Sequence, residues 1–466
     1  KKIKLDPPAG TRPALVYNPL GWSRSDNLTV AEPEGQWHVV DGSGKALVSQ
    51  ELNDVKGRRV MFRAEDLPSM GWRVYYLAPG EGPKESGLKV EDRGDEIVLA
   101  NQFVRVVVEK KLGLIQSLTD LRTGKELIEG GGNRLLAFVD RPLENRAWDI
   151  NGMYAHFPIR LPDPVRVELT MSGPLVAEVL IRRELKRPLQ TVTVFEQRIR
   201  LIDNDPLVRL DVDADYHLEN SLTKLEFVTT LRPDHVASDS AYAMIQRSTH
   251  PATPADQARW ELACQKWIDI SSGGQGLAIL NNGKYGFSYE EGGRVLRQTL
   301  IKGAEFPDVA RDAENVVNYR FYELPYTDQG NHHIELALLP HPGDWREARL
   351  WLAGYEFNTP AQAIMVAASA GVLPAEGSFV GLEAATTYIG NIKRAEDDDD
   401  LVVRLVEGAG QADRVVVRPG LGMRIEAASE TDLLEFNGKR IPVSPGAVEV
   451  SMSPFEIKTV KIRVSR

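Results

Sequence analysis

Two runs decide the fold: TVTVFEQRIRLI at Thr191–Ile202 and LVRLDVDADYHL at Leu207–Leu218. In each, apolar or β-branched residues alternate with charged ones, the period of a strand that lays one face on a core. The few residues between the runs leave no room for the crossover of about a dozen residues that a parallel pair requires. They read as neighbouring antiparallel strands.

The same pattern recurs outward from this pair. FVRVVVE (Phe103–Glu109), VRVELTM (Val165–Met171), LVAEVLIRREL (Leu175–Leu185) and KLEFVTTL (Lys224–Leu231) all read as strands. Turn chemistry joins them: Ser172-Gly173-Pro174, Thr123-Gly124, Asn282-Gly283 and Asn437-Gly438, each expected to close a hairpin. Strands nowhere alternate steadily with amphipathic helices, so a (β/α) barrel is not expected in this chain. Short helices are expected near Asp256–Trp267 and Ala361–Ser369. Polar, Pro- and Gly-rich stretches, APGEGPKESG from Ala78 and the segment from Glu356 to Val372, place boundaries near 86 and 360. The expected organisation is all-β in three domains: 1–86 a small sandwich, 87–360 a large antiparallel domain, 361–466 a C-terminal β domain.

A chain of 466 residues is long enough for several cores, and 42% apolar with 26% charged residues is the composition of a folded globular protein. A net charge of −10 without a block of lysine or arginine argues against nucleic acid and anionic membranes as partners, because both reward clustered cations. Neutral small molecules and sugars fit better. The longest apolar run, AIMVAASAGVL from Ala363, is about half of what spans a bilayer. The single cysteine, Cys264, allows no internal disulfide and favours a reducing compartment, the cytoplasm. The opening KKIKLDPPAG shows neither an initiator methionine nor a signal pattern, as expected of a fragment.

Apparent motifs for chemistry dissolve under spacing. DQGNHHIELALLPHPGDW (Asp328–Trp345) holds three of eight histidines. In a strand His332 shares a face with Ile334, Leu336 and Leu338, while His333 faces the other way. His341 lies about 30 Å further on if the chain stays extended, against a zinc–nitrogen bond of about 2 Å. DVDAD at Asp211 imitates a calcium loop, but the sixth position is Tyr216 and the twelfth Leu222. SSGGQGLAIL at Ser271 lacks a phosphate cradle's lysine. The EDDDD run at Glu396 reads as a solvated face, and Cys264 has no histidine near it in sequence to act as a base.

Two segments resist that treatment. NRAWDING from Asn145 sets Trp148 beside Asp149 among turn-formers, where an aromatic ring has reason to stack on a sugar face. IQRSTHPATPADQARWELACQKWID from Ile245 gathers Arg247, His250, Arg259 and Lys266 in a long irregular connection of the kind that carries binding groups.

At these segments the chain resembles the C-terminal half of glycoside hydrolase family 38, the α-mannosidases. The resemblance is carried in order by LVYNPLGWSRSDNLTV, by LANQFVRVVVEKKLGLIQSLTDLRTGKELIEGGGNRLLAFVDRPLENRAWDINGMY, by RSTHPATPADQARWELACQKWIDIS, by GLAILNNGKYGFSYEEGGRVLRQTL and by DQGNHHIELALLPHPGDW. It covers about Ala14 to Trp345. It implies a small β-sandwich, a supersandwich like that of galactose mutarotases, and a terminal β-sandwich. It also implies that zinc, its ligands and the aspartate nucleophile belong to a catalytic barrel preceding this chain, so that no catalytic residue and no bound metal are expected here. The partners implied are a mannose-containing glycan and that missing barrel. On the resemblance, Trp148, Asp149 and Arg247 would contact substrate by stacking, hydroxyl hydrogen bonding and charge-assisted hydrogen bonding. Gln265, Asn151 and Tyr216-His217-Leu218-Glu219 depart from the family's usual residues. The rival expectation is a free-standing carbohydrate-binding or subunit-docking module; an epimerase of the mutarotase type ranks third.

Overall fold

The histidine-bearing segment forms strand Gly330–Pro342, fifth of nine in the largest sheet. A computed structural model describes residues 2–31, 34–54, 57–143, 146–188, 191–306, 325–444 and 446–465. Strands take 56% of the chain and helices 4%, so the protein is all-β. The chain divides into two compact units, Gly87–Leu350 and a discontinuous one built from Lys1–Ser86 with Trp351–Arg466.

In the unit 87–350 the nine-stranded sheet runs 166–172, 176–185, 193–202, 208–216, 330–342, 275–281, 267–272, 235–240, 243–248. Strands 193–202 and 208–216 pair antiparallel, Phe195 opposite Ala214 and Leu201 opposite Val208. Their inward residues, Phe195, Ile199, Leu210 and Val212 among them, join one core with a five-stranded sheet (Lys89–Glu126) and a six-stranded sheet that includes 134–139 and 221–228. Their outward residues form a charge ladder across neighbouring strands. Glu178 and Asp211 hold Arg200, Asp213 takes Arg198, and His333 meets Asp213 at 2.6 Å. The acids of DVDAD are thus the outward half of a strand. Glu178 and Asp211 are covered by the ladder itself, while the outer pairs such as His333–Asp213 are exposed and contribute little alone. Together they fix register, because a slip of one residue would turn the charges into the core.

Three expected hairpins form: 166–172 with 176–185, 115–120 with 125–126, and 424–431 with 439–441. The fourth does not. Strands 275–281 and 286–290, on either side of Asn282-Gly283, belong to different sheets. Asn281 redirects the chain, its Nδ2 donating to the Gln265 carbonyl at 2.7 Å and its Oδ1 accepting from Lys284 N at 2.9 Å. A second correction concerns helices. Among the described residues one turn of α-helix forms at Pro254–Gln257 under a Thr253/Asp256 capping box, a longer α-helix forms at Leu350–Asn358 rather than at 361–369, and 362–365 is a strand. Pairing of 362–365 with 14–17 overrides the local preference.

In the discontinuous unit, 362–365 and 376–378 complete the sheet built on 12–18 and 71–79, around Val16, Phe62, Leu77 and Ala361. The sheets formed by residues 380–465 enclose a second core around Val403, Val417, Val448 and Val460.

Candidate functional site

Strand 134–139 leads into the loop that carries Trp148. Asp140, 2% exposed, receives the Asn151 amide at 2.8 Å and pairs with Lys302 at 3.5 Å. Lys302 also donates to the Asp149 carbonyl, and Tyr154 packs edge-on against Phe138 with ring centroids 5.3 Å apart. The loop is therefore pinned on both sides of the Trp148–Asp149 pair. Trp148 itself stands 63% exposed and the Asp149 side chain faces solvent. Asn145, the first residue of the motif, lies outside the described residues.

Arg247 sits on the edge strand Ala243–Ser248 and donates to Ser238 Oγ at 2.8 Å. Burial, and then the Arg259 charge, lower its pKa. It lines a cleft of about 640 Å³ with Arg259, Glu261, Asp256 and Tyr289, whose hydroxyl donates to the Ser248 carbonyl at 2.6 Å. The size suits a small ligand.

The structure brings the two loops together, which no local pattern announces. Trp260 lies so close over Gly152 that a methyl group there would come within 2.5 Å of its ring. Glu261 accepts from Tyr154 Oη at 3.1 Å, from Thr299 Oγ1 at 2.9 Å and from Lys224. Lys224 is fully buried, donates to Ser288 Oγ at 2.8 Å and lies over the Tyr154 ring. Burial first, and then Arg297, push its pKa well down. Lys224, Glu261, Asp140 and Trp260 were not singled out from sequence. The available signal was Lys224 itself, the one cation of strand Ser221–Val228. Arg247 lines the cleft; Trp148 and Asp149 are not among its lining residues.

The histidines go to three separate places. His332 meets the Asp328 carbonyl at 2.9 Å and the edge of Tyr216, His333 joins the outer ladder, and buried His341 bonds Asp269 at 2.9 Å. Among the described residues no three His, Cys, Asp or Glu side chains converge as a metal would need. Three acids of the EDDDD run are paired, Asp399 with Arg394, Asp398 with Lys461 and Asp400 with Arg463. Burial raises the Cys264 thiol to about 12, leaving it without thiolate character.

Burial pulls the His341 imidazole down, but the Asp269 hydrogen bond and charge outweigh it, so its pKa is raised above 6.5. Its contribution to stability is then complete below the unfolded value and is lost as pH rises through the folded one. His341→Gln is expected to cost more at pH 5.5 than at pH 8.5, with the gap in urea midpoints narrowing as pH rises. A cost independent of pH would show that the pair is held by packing alone.

Comparison with known proteins places this architecture. The model of the glycosyl hydrolases family 38 C-terminal domain matches residues 99–310, and that of the family 38 C-terminal beta sandwich domain matches residues 387–460. Together they account for more than half of the chain. Alpha-mannosidase 2C1 of Mus musculus is 27% identical over 97% of this chain and 40% of its own length; that of Homo sapiens is 26% identical over 96% and 39%. The chain thus spans about two fifths of the curated relatives it matches. The crystal structure of an alpha-mannosidase from Enterococcus faecalis V583 superposes with a TM-score of 0.74 at 15% identity, over 99% of this chain and 57% of that one, which shows a shared fold. The chain belongs to glycosyl hydrolase family 38, whose C-terminal β domains it carries.

Proposed function

We propose that this chain is the β region of a retaining α-mannosidase, forming one wall of a groove for terminal α-mannosides, while the groups that break the bond belong to polypeptide outside residues 1–466. The observation that carries the reading is Trp148: a ring 63% exposed on a loop fixed from below by Asp140 and Lys302. An aromatic face held out at no further ordering cost is the element a sugar ring stacks on. Arg247, half-buried beside the cleft, supplies a charge-assisted donor, and Asp149 an acceptor for a hydroxyl.

The carboxyls nearby are already engaged. A retaining mechanism needs two of them about 5 Å apart across the bond, yet Glu261 serves Lys224, Tyr154 and Thr299, and Asp256 caps a helix turn. Among the described residues no three His, Cys, Asp or Glu side chains stand together as zinc ligands would. Such ligands belong, on this reading, to the part of the relatives that this chain does not match. The boundary at 86 and a cytoplasmic location belong to the same proposal, the second resting on the lone, inert Cys264; the boundary expected at 360 does not, because strands 362–365 and 376–378 lie in the sheet of 12–18 and 71–79.

In the complete enzyme, Trp148→Ala and Arg247→Met are each expected to lower kcat/KM for an aryl α-mannoside about tenfold, that is, by about 1.4 kcal/mol. The 466-residue chain alone should show no turnover with zinc added. Unchanged kinetics in both variants would remove the groove wall from this face. The rival reading, a free-standing sugar-binding module, predicts that the chain alone binds mannose in a titration.

A further inference from the structure

A second pocket in unit 87–350 has a different character from the Arg247 cleft. It holds about 370 Å³ and is walled by Leu112, Leu114, Leu136, Phe138, Ile159 and Leu161, with Pro158, Pro162 and Pro164 along its lip. Its charged lining is Arg134, Arg160 and Arg183 against a single acid, Asp163. Arg183 is the unusual member. Only 7% exposed, it donates to two neutral acceptors, Gln197 Oε1 and the Leu112 carbonyl. Gln197 is itself held by donating to the Asn133 carbonyl at 3.1 Å, so it offers no charge in return. Among the described residues no carboxylate closes an ion pair with Arg183. Asp163 acts on it only at a distance.

A guanidinium keeps its charge and carries five N–H donors, of which the protein uses two here. Burying such a cation without an anion is costly, and sequences retain buried charge where a partner completes it. We propose that this pocket is a binding site for a small monoanion with an apolar body, a short-chain carboxylate whose head meets Arg183 and whose tail lies on the leucine and phenylalanine walls. The volume lies within the range of small-ligand sites, about 300–1,000 Å³. With Arg134 already paired to Glu226 at 3.4 Å and Asp163 offsetting a second arginine, one positive charge of the three is left over, which favours one negative charge, and the scarcity of other polar groups disfavours a phosphate or a sugar. This site is independent of the mannoside reading, because it shares no lining residue with the Arg247 cleft.

Calorimetric titration of the chain with hexanoate and with hexan-1-ol tests it. Hexanoate is expected to bind with a Kd of about 1 mM or tighter, and hexan-1-ol about tenfold more weakly. Arg183→Lys should keep the preference for the acid, and Arg183→Met should abolish it. Should Arg183→Met fail to fold, Leu161→Trp, which fills the pocket while leaving Arg183 in place, is expected to weaken both ligands. No hexanoate binding at about 10 mM, equal affinity for acid and alcohol, or undiminished binding by Leu161→Trp would each overturn the assignment.

Discussion

Replacing Glu261 with Leu is expected to destabilise the protein by about 3–5 kcal/mol in urea unfolding, the cost of stripping a buried charge of its partner. Lys224 has a fully buried side chain, and Glu261 is its contact anion. Without that carboxylate the ammonium keeps only Ser288 Oγ and the face of Tyr154, and Tyr154 Oη and Thr299 Oγ1 lose their acceptor as well. The pair Lys224→Met with Glu261→Leu should recover most of the loss, because it removes the orphaned charge along with its partner. A single substitution costing under about 1 kcal/mol would show that water already reaches Lys224. The effect also has a local reading. Tyr154 and Gly152 lie on the loop that displays Trp148, so amide exchange across 146–157 should quicken in Glu261→Leu beyond what global unfolding explains.

The second large effect is expected in the other unit. Glu407 is fully buried and accepts four backbone amides, Ala409 at 2.9 Å, Gly410 at 2.8 Å, Gln411 at 3.1 Å and Phe455 at 2.8 Å. One carboxylate thus satisfies a turn and fastens it to the start of strand 457–465. Gly410 has φ +72, and a Cβ there would come within 2.6 Å of the Phe455 ring, so the turn cannot slide to find other acceptors. Glu407→Ala strands one buried donor, Ala409 N, and three part-buried ones that water can partly satisfy; at about 1 kcal/mol for a donor left unpaired, a loss of about 2–4 kcal/mol is expected. Glu407→Gln keeps one acceptor oxygen and should lose about half as much. Equal losses in the two variants would mean that the cost comes from the missing side-chain volume.

How far these features could be read in advance depends on the distance over which they are encoded. Alternation within 193–202 and 208–216 is local, so the strands, their antiparallel pairing and the opposite facing of His332 and His333 were legible. The sheet switch at Asn282-Gly283 was not. It rests on Asn281 reaching Gln265, and the same dipeptide at Asn437-Gly438 does lie between paired strands. Residues 362–365 read as helical because nothing local reveals that strand 12–18 awaits them. For the candidate site, the two loops could be named from composition, but their meeting at Gly152/Trp260 and Tyr154/Glu261 is tertiary. Lys224 offered one discordant letter and no indication of its partner.

The sheet completed by 362–365 has a consequence for biosynthesis. Strand 12–18 leaves the ribosome 344 residues before its neighbour 362–365 begins (362 − 18), and strand 71–79 leaves it 297 residues before 376–378 (376 − 79). Closing so long an unfolded span would cost about 5 kcal/mol in chain entropy, a cost that falls once the intervening domain has collapsed. Until then the first-made sandwich waits with open edges able to recruit strands from other nascent chains, which makes translation pauses near residue 350 the moment of greatest exposure to misassembly.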